Sequence, residues 1–100
     1  MTKIKKYVEG IADELDGAKK YMEKALEYKA MGNSERYTGY KDMSLAELGH
    51  ATRLHQYAVQ DIEQLKTVYP DIPSDMMDKW DKAHIDFVEK AAWIKQMQAM

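Results

Sequence analysis

Apolar residues recur along the first third of the chain at Ile4, Tyr7/Val8, Ile11, Leu15, Ala18, Tyr21/Met22, Ala25 and Tyr28. Gaps of three and four put them on one face of a helix. The spacing predicts a helix over residues 3–31 with Thr2 as its cap. Gly32-Asn33-Ser34 then supplies residues favoured just after one helix and just before the next. A second stripe, Tyr40, Met43, Glu47, His50, Leu54, Tyr57 and Asp61, predicts a helix over 35–69 with a heptad-like seam. Beside it runs an apolar row of Ala51, Leu54, Ala58, Ile62 and Leu65. Pro70 and Pro73 mark a turn, because proline stops helices and restricts the residue before it. A third helix is expected over 74–98, capped by Ser74, with Asp75 and Asp78 near its positive end. Its stripe is Met77, Trp80, His84, Phe87/Val88, Ala91, Ile94 and Met97. Short connections imply antiparallel neighbours. The expected fold is therefore all-α, a single domain over 1–100 made of a long helical hairpin and a third helix.

Two members of the second seam are polar where burial is expected. Glu47 and His50 are three residues apart, which on a helix means about 60° of rotation and about 4.5 Å of rise, so both side chains reach one point. An unpaired buried carboxylate costs several kcal/mol, and a metal ion removes that cost. Glu-x-x-His at this spacing is a ligand pair of carboxylate-bridged metal sites in helical bundles. With the hairpin turn centred on Gly32, facing residues have numbers that sum to about 64, which brings Glu14 level with His50 and close to Glu47. Gly17, one turn after Glu14, and Gly49, between the two ligands, are small residues that permit close backbone approach.

One hairpin offers only two carboxylates and one imidazole, whereas a two-metal site in a bundle takes ligands from four helices. A two-fold dimer doubles the set and supplies the buried surface that a small chain lacks.

Composition narrows the remaining classes. The chain has 100 residues, no cysteine, and 15 Lys+Arg against 17 Asp+Glu, for a net charge of −2. No disulfide framework or cysteine-ligated zinc is available. The charge gives no basic footprint for nucleic acid, and no apolar run approaches the length that spans a bilayer. The basic N-terminus lacks a signal-peptide core, so the expected location is the cytoplasm. Nucleophilic catalysis has neither a cysteine nor a Ser–His–acid arrangement to build on.

Glu14 followed by Tyr21 seven residues later, then Glu47-Leu48-Gly49-His50-Ala51 on the next helix, resembles the ferritin-like superfamily. Halves of bacterioferritin and rubrerythrin carry this pattern, and encapsulated ferritins build such a site between subunits. The resemblance covers roughly residues 7–65. It implies a ferritin-like four-helix bundle formed by dimerisation, with two iron ions per dimer held by Glu14, Glu47 and His50. Glu47 would bridge, Glu14 would be terminal, and Tyr21 would hydrogen-bond a ligand carboxylate. The implied activity is Fe(II) oxidation by O₂. Mn or Zn fits the same donors.

Other residues carry simpler expectations. His55 is expected to pair with Glu9 at the surface, and His84 to be a satisfied core histidine. Asp61 lies near the open end of the hairpin, where solvent is expected. Tyr7, Tyr21, Tyr28, Tyr40 and Tyr57 suggest a tyrosine-rich interior. A reading from another class remains open, a metal-free helical adaptor whose third helix docks a partner protein through Trp80, Phe87 and Trp93.

Overall fold

The computed structural model describes residues 2–100, and among them there are three helices and no strand. These are α1 (Thr2–Ala30), α2 (Ser34–Val68) and α3 (Ser74–Gln98). α1 and α2 form a long antiparallel hairpin, and α3 lies along one side of it, mainly against α1. The whole measures 55 × 18 × 16 Å. No described helix is long and apolar enough to cross a membrane.

The turns follow from their residues. Gly32 takes φ +75°, a left-handed conformation that costs glycine little, and ends α1. Asn33 Oδ1 accepts a hydrogen bond from the Arg36 amide at 3.1 Å and caps α2. Both helices start and end one residue earlier than the sequence pattern suggests, so Thr2 is already helical rather than a cap. Ser74 is also inside its helix. The cap position belongs to Pro73, whose carbonyl accepts from the amides of Met76 at 3.0 Å and Met77 at 3.2 Å. Proline's fixed φ suits the approach to a helix, and no side-chain cap is formed.

The core is a continuous apolar cluster. Ile4, Ile11, Leu15 and Ala18 come from α1, and Leu48, Ala51, Ala58 and Ile62 from α2. Trp80, Ala91 and Ile94 come from α3. A buried polar chain crosses it: Ser44 Oγ donates to the Ala18 carbonyl at 2.7 Å and accepts from Gln98 Nε2 at 3.0 Å.

The burial of α2 differs from the sequence expectation. The row Ser44, Leu48, Ala51, Ala58 and Ile62 is buried, while the seam through Met43, Glu47, His50, Leu54 and Tyr57 lies at the rim. Met43 stays 40% exposed and Tyr57 47%. The cause is the position of α3. It docks on the Ile11–Leu48–Ala58 side, and the opposite face of the hairpin has no helix over it. The tyrosines follow suit. Tyr7, Tyr21, Tyr28 and Tyr40 are half-buried on that rim, not enclosed.

Candidate metal centre

Glu14 sits midway along α1 on the face that α3 leaves uncovered. Glu47 and His50 share the facing surface of α2, one helical turn apart. One ligand atom from each of the three residues lies within 4.8 Å of the others. His50 Nδ1 is 3.5 Å from Glu14 Oε2. His50 is the most exposed of the three, with 61% of its side chain accessible, against 28% for Glu14. The cluster therefore has a half-buried carboxylate side and an imidazole side open to solvent.

Two features make the cluster electrostatically costly. Glu14 Oε2 is buried and accepts no well-formed hydrogen bond, its imidazole neighbour His50 Nδ1 standing 3.5 Å away. Such an atom carries a desolvation penalty of about 1–3 kcal/mol, more when charged. The Glu47 carboxyl is held above the usual carboxylate range, chiefly because the neighbouring Glu14 carboxylate can share its proton, then by burial. The charge of His50 acts in the opposite direction but does not cancel it. Two carboxylates forced together beside one imidazole are an expensive arrangement for protein alone. A divalent cation would satisfy the orphan oxygen and relieve the repulsion together.

Gly17 makes this closeness possible. A Cβ added there would lie 3.1 Å from Glu47 Oε2 and 3.5 Å from its Cδ. The Glu47 carboxylate thus rests against bare backbone of α1. Gly49 has no comparable role, since a Cβ there would meet nothing within 4 Å. Gly17→Ala is expected to separate stability from affinity. Thermal melting of metal-free protein should hold or rise, because alanine gains up to about 1 kcal/mol in a helix interior over glycine. Affinity for a divalent cation, measured by calorimetric titration, should fall about tenfold or more as Glu47 is pushed aside. Unchanged affinity would show that the close approach is incidental.

The remaining sequence expectations have mixed outcomes. Tyr21 forms no hydrogen bond to Glu14 or Glu47 among the described residues; its ring packs 6.2 Å from that of Tyr40, which stacks on Tyr28 at 5.5 Å. Asp61 is not left to solvent. Tyr7 donates its hydroxyl to it, and Lys3 Nζ lies 3.2 Å away. That hydrogen bond pushes the Tyr7 phenol up to about 12 and, with Lys3, holds Asp61 below its ordinary value.

His55 does not pair with Glu9, whose nearest cation is Lys5 at 4.0 Å. Its Nε2 is instead 2.8 Å from His84 Nδ1. His84 is exposed rather than a core histidine. The reason is again the placement of α3, which brings Trp80, His84 and Phe87 onto His55. Phe87 stacks at 4.2 Å between centroids and Trp80 at 5.6 Å. The available signal was the spacing of four and three between those α3 residues, which puts all of them on one face. The buried Ser44–Gln98 pair was equally unexpected; its one hint was a serine in line with Leu48, Ala51 and Ala58.

No protein-family model, curated protein or solved structure matches the chain.

Proposed function

We propose that this chain is a ferritin-like metal protein. Two copies pair through the uncovered hairpin faces into a four-helix bundle and hold two iron ions with Glu14, Glu47 and His50 of each. The observation that carries this reading is the buried, unpartnered Glu14 oxygen facing a second carboxyl group and an imidazole. Iron bound there would supply one-electron chemistry, the oxidation of Fe(II) to Fe(III) by O₂. The chain's own part is to provide two carboxyl groups, one imidazole and a half-buried setting that strengthens their interaction with a cation. Mn(II) and Zn(II) suit the same donor types.

The uncovered face supports the dimer. Half-buried Tyr7, Tyr21, Tyr28, Tyr40 and Leu54 line it, with Met43 and Tyr57 substantially exposed. Apolar and aromatic side chains left partly exposed on one face suit an association site. The face also carries all three candidate ligands, so a two-fold pairing would complete the site as it buries the surface.

The adaptor reading loses most of its proposed contacts. Trp80 is 7% exposed and Phe87 packs on His55, which leaves only Trp93, 58% exposed, free to meet a partner.

The test is elemental analysis of untagged protein together with its native mass. About one iron per chain in a dimer is expected from the symmetric site. A protein that takes up none of Fe(II), Mn(II) or Zn(II) would overturn the proposal.

A further inference from the structure

We infer that the uncovered face takes a second copy lying antiparallel to the first. The two-fold axis crosses the hairpin at the level of Glu14, Glu47 and His50, and Arg36 of each copy pairs with Asp61 of the other. This placement rests on the pairing proposed above and adds its direction and register.

The rim rows of both helices carry it. On α2 the row begins at Arg36, one step before Tyr40, and ends at Asp61, with steps of four and three throughout. On α1 the facing row runs from Lys3 to Tyr28 with the same steps, through Tyr7, Glu14 and Tyr21. Steps that alternate in this way keep one stripe turned toward a partner helix. The midpoint of the α2 row falls between Glu47 and His50, and that of the α1 row between Glu14 and Gly17. Both midpoints stand at one height, because Glu14 meets His50 at 3.5 Å and Gly17 lies against Glu47. The same register holds toward both ends, where Arg36 reaches Tyr28 and Lys3 reaches Asp61. One two-fold axis across the hairpin therefore serves both helices, setting α1 on α1 and α2 on α2 in opposite directions.

Any regular row reverses onto itself in position; here the chemistry matches as well. On α2, Arg36 comes opposite the partner's Asp61, Tyr40 opposite Tyr57, and Met43 opposite Leu54. Glu47 comes opposite the partner's His50, so each copy brings an imidazole to the other's acid. On α1, Gly10 comes opposite Tyr21 and Gly17 opposite Glu14, which gives each bulky side chain a glycine across from it. Tyr28 and Tyr7 come opposite Lys3 and Lys24, pairs in which an ammonium can lie on a ring. Arg36 is already laid over this face, 5.5 Å from the centre of the Tyr28 ring. Parallel copies would instead set α1 on α2 at equal heights. That gathers Lys24 and Arg36 of both copies at the turn end, where neither row has an acid beyond Glu47. Like charges brought together in this way cost affinity.

The chain has no native cysteine, so Met31→Cys at the turn, where Met31 is 66% exposed, takes a single nitroxide label. Double electron–electron resonance measures the distance between labels, with and without added Zn(II). Native mass and metal content are read on the same samples. Residue 31 lies about 16 residues from the axis along the hairpin, so antiparallel copies hold the labels about 45–50 Å apart. Parallel copies would hold them within about 25 Å, the width of two packed hairpins. Arg36→Glu should raise the dimer Kd about tenfold or more, because it sets an acid against the partner's Asp61. In parallel copies the same change leaves Kd where it was. Arg36 is exposed in the first turn of α2, and far-UV circular dichroism checks that the variant folds. A dimer with the short distance, or one whose Kd ignores Arg36→Glu, would overturn the inference and leave the metal reading standing. A monomer at every concentration would overturn it as well, and the metal content of that sample then decides the metal reading separately.

Discussion

Glu47→Ala is expected to abolish every metal-dependent gain in stability, while metal-free protein melts at the same temperature or higher. The ion would stabilise the native chain by mass action, about 2.7 kcal/mol when free metal stands at a hundred times Kd. Removing a ligand that faces both Glu14 and His50 raises Kd and erases that gain. The metal-free change has the opposite sign because Glu47 and Glu14 oppose each other. The Glu47 carboxyl is held above its ordinary value in the folded chain. Folded protein therefore keeps that proton to higher pH than unfolded protein does. This contribution to stability is fully present below the ordinary carboxylate value, 4.5 for Glu47, and is lost as pH rises through the raised value. Glu47→Gln should remove that fall. Differential scanning calorimetry with and without Fe(II) or Mn(II), over a range of pH, reads both effects. A wild-type melting temperature indifferent to metal and to chelator would count against the metal centre.

Trp80→Ala is expected to cost about 3–5 kcal/mol, the range for a large aromatic deleted from a core. Trp80 is 7% exposed, belongs to the continuous core and stacks near His55. Domains of this size are stable by only about 5–15 kcal/mol. The melting temperature should therefore drop by more than about 10 °C, since each kcal/mol shifts a chain this short by several degrees. Trp93→Ala, at a site 58% exposed, should stay within about 0.5 kcal/mol. Urea denaturation of both variants decides the matter, and equal losses would mean that α3 is not anchored through Trp80.

Much of the hairpin was legible because its signals are local. Gly32 and Asn33 announce the turn, and the three-and-four spacing of Ile4, Ile11, Leu15 and Ala18 defines the buried face of α1. The convergence of Glu14 with Glu47 and His50 was legible too, since turn position and helical rise alone decide which residues come level. What periodicity cannot supply is the side from which a third helix approaches. Two adjacent rows on α2, one through Met43 and Tyr57 and one through Ala51 and Ala58, are both apolar enough to be core. Only packing of Trp80, Ala91 and Ile94 against the second row decides between them. The partner of His55 depends on the same choice, so it could not be read from α1 and α2. Ser74 was misplaced for a smaller reason: a proline carbonyl at Pro73 does the capping work that a serine side chain usually does.

The hydrogen bond from Ser44 to the Ala18 carbonyl, closed by Gln98, has a consequence for how α1 and α2 are aligned. Apolar ridges repeat every turn, so two helices packed only through them can shift by one turn, about 5.4 Å, into another well-packed alignment. Here any such sliding would take the buried Ser44 hydroxyl from its acceptor, at a cost of about 1–3 kcal/mol, while the Ala18 carbonyl would keep its bond within α1. Ser44 precedes Glu47 by three residues, and Ala18 follows Glu14 by four, so the pin sits one turn from the acidic pair on both helices. A Ser44→Ala chain would keep its helices and lose the lock that sets their relative height.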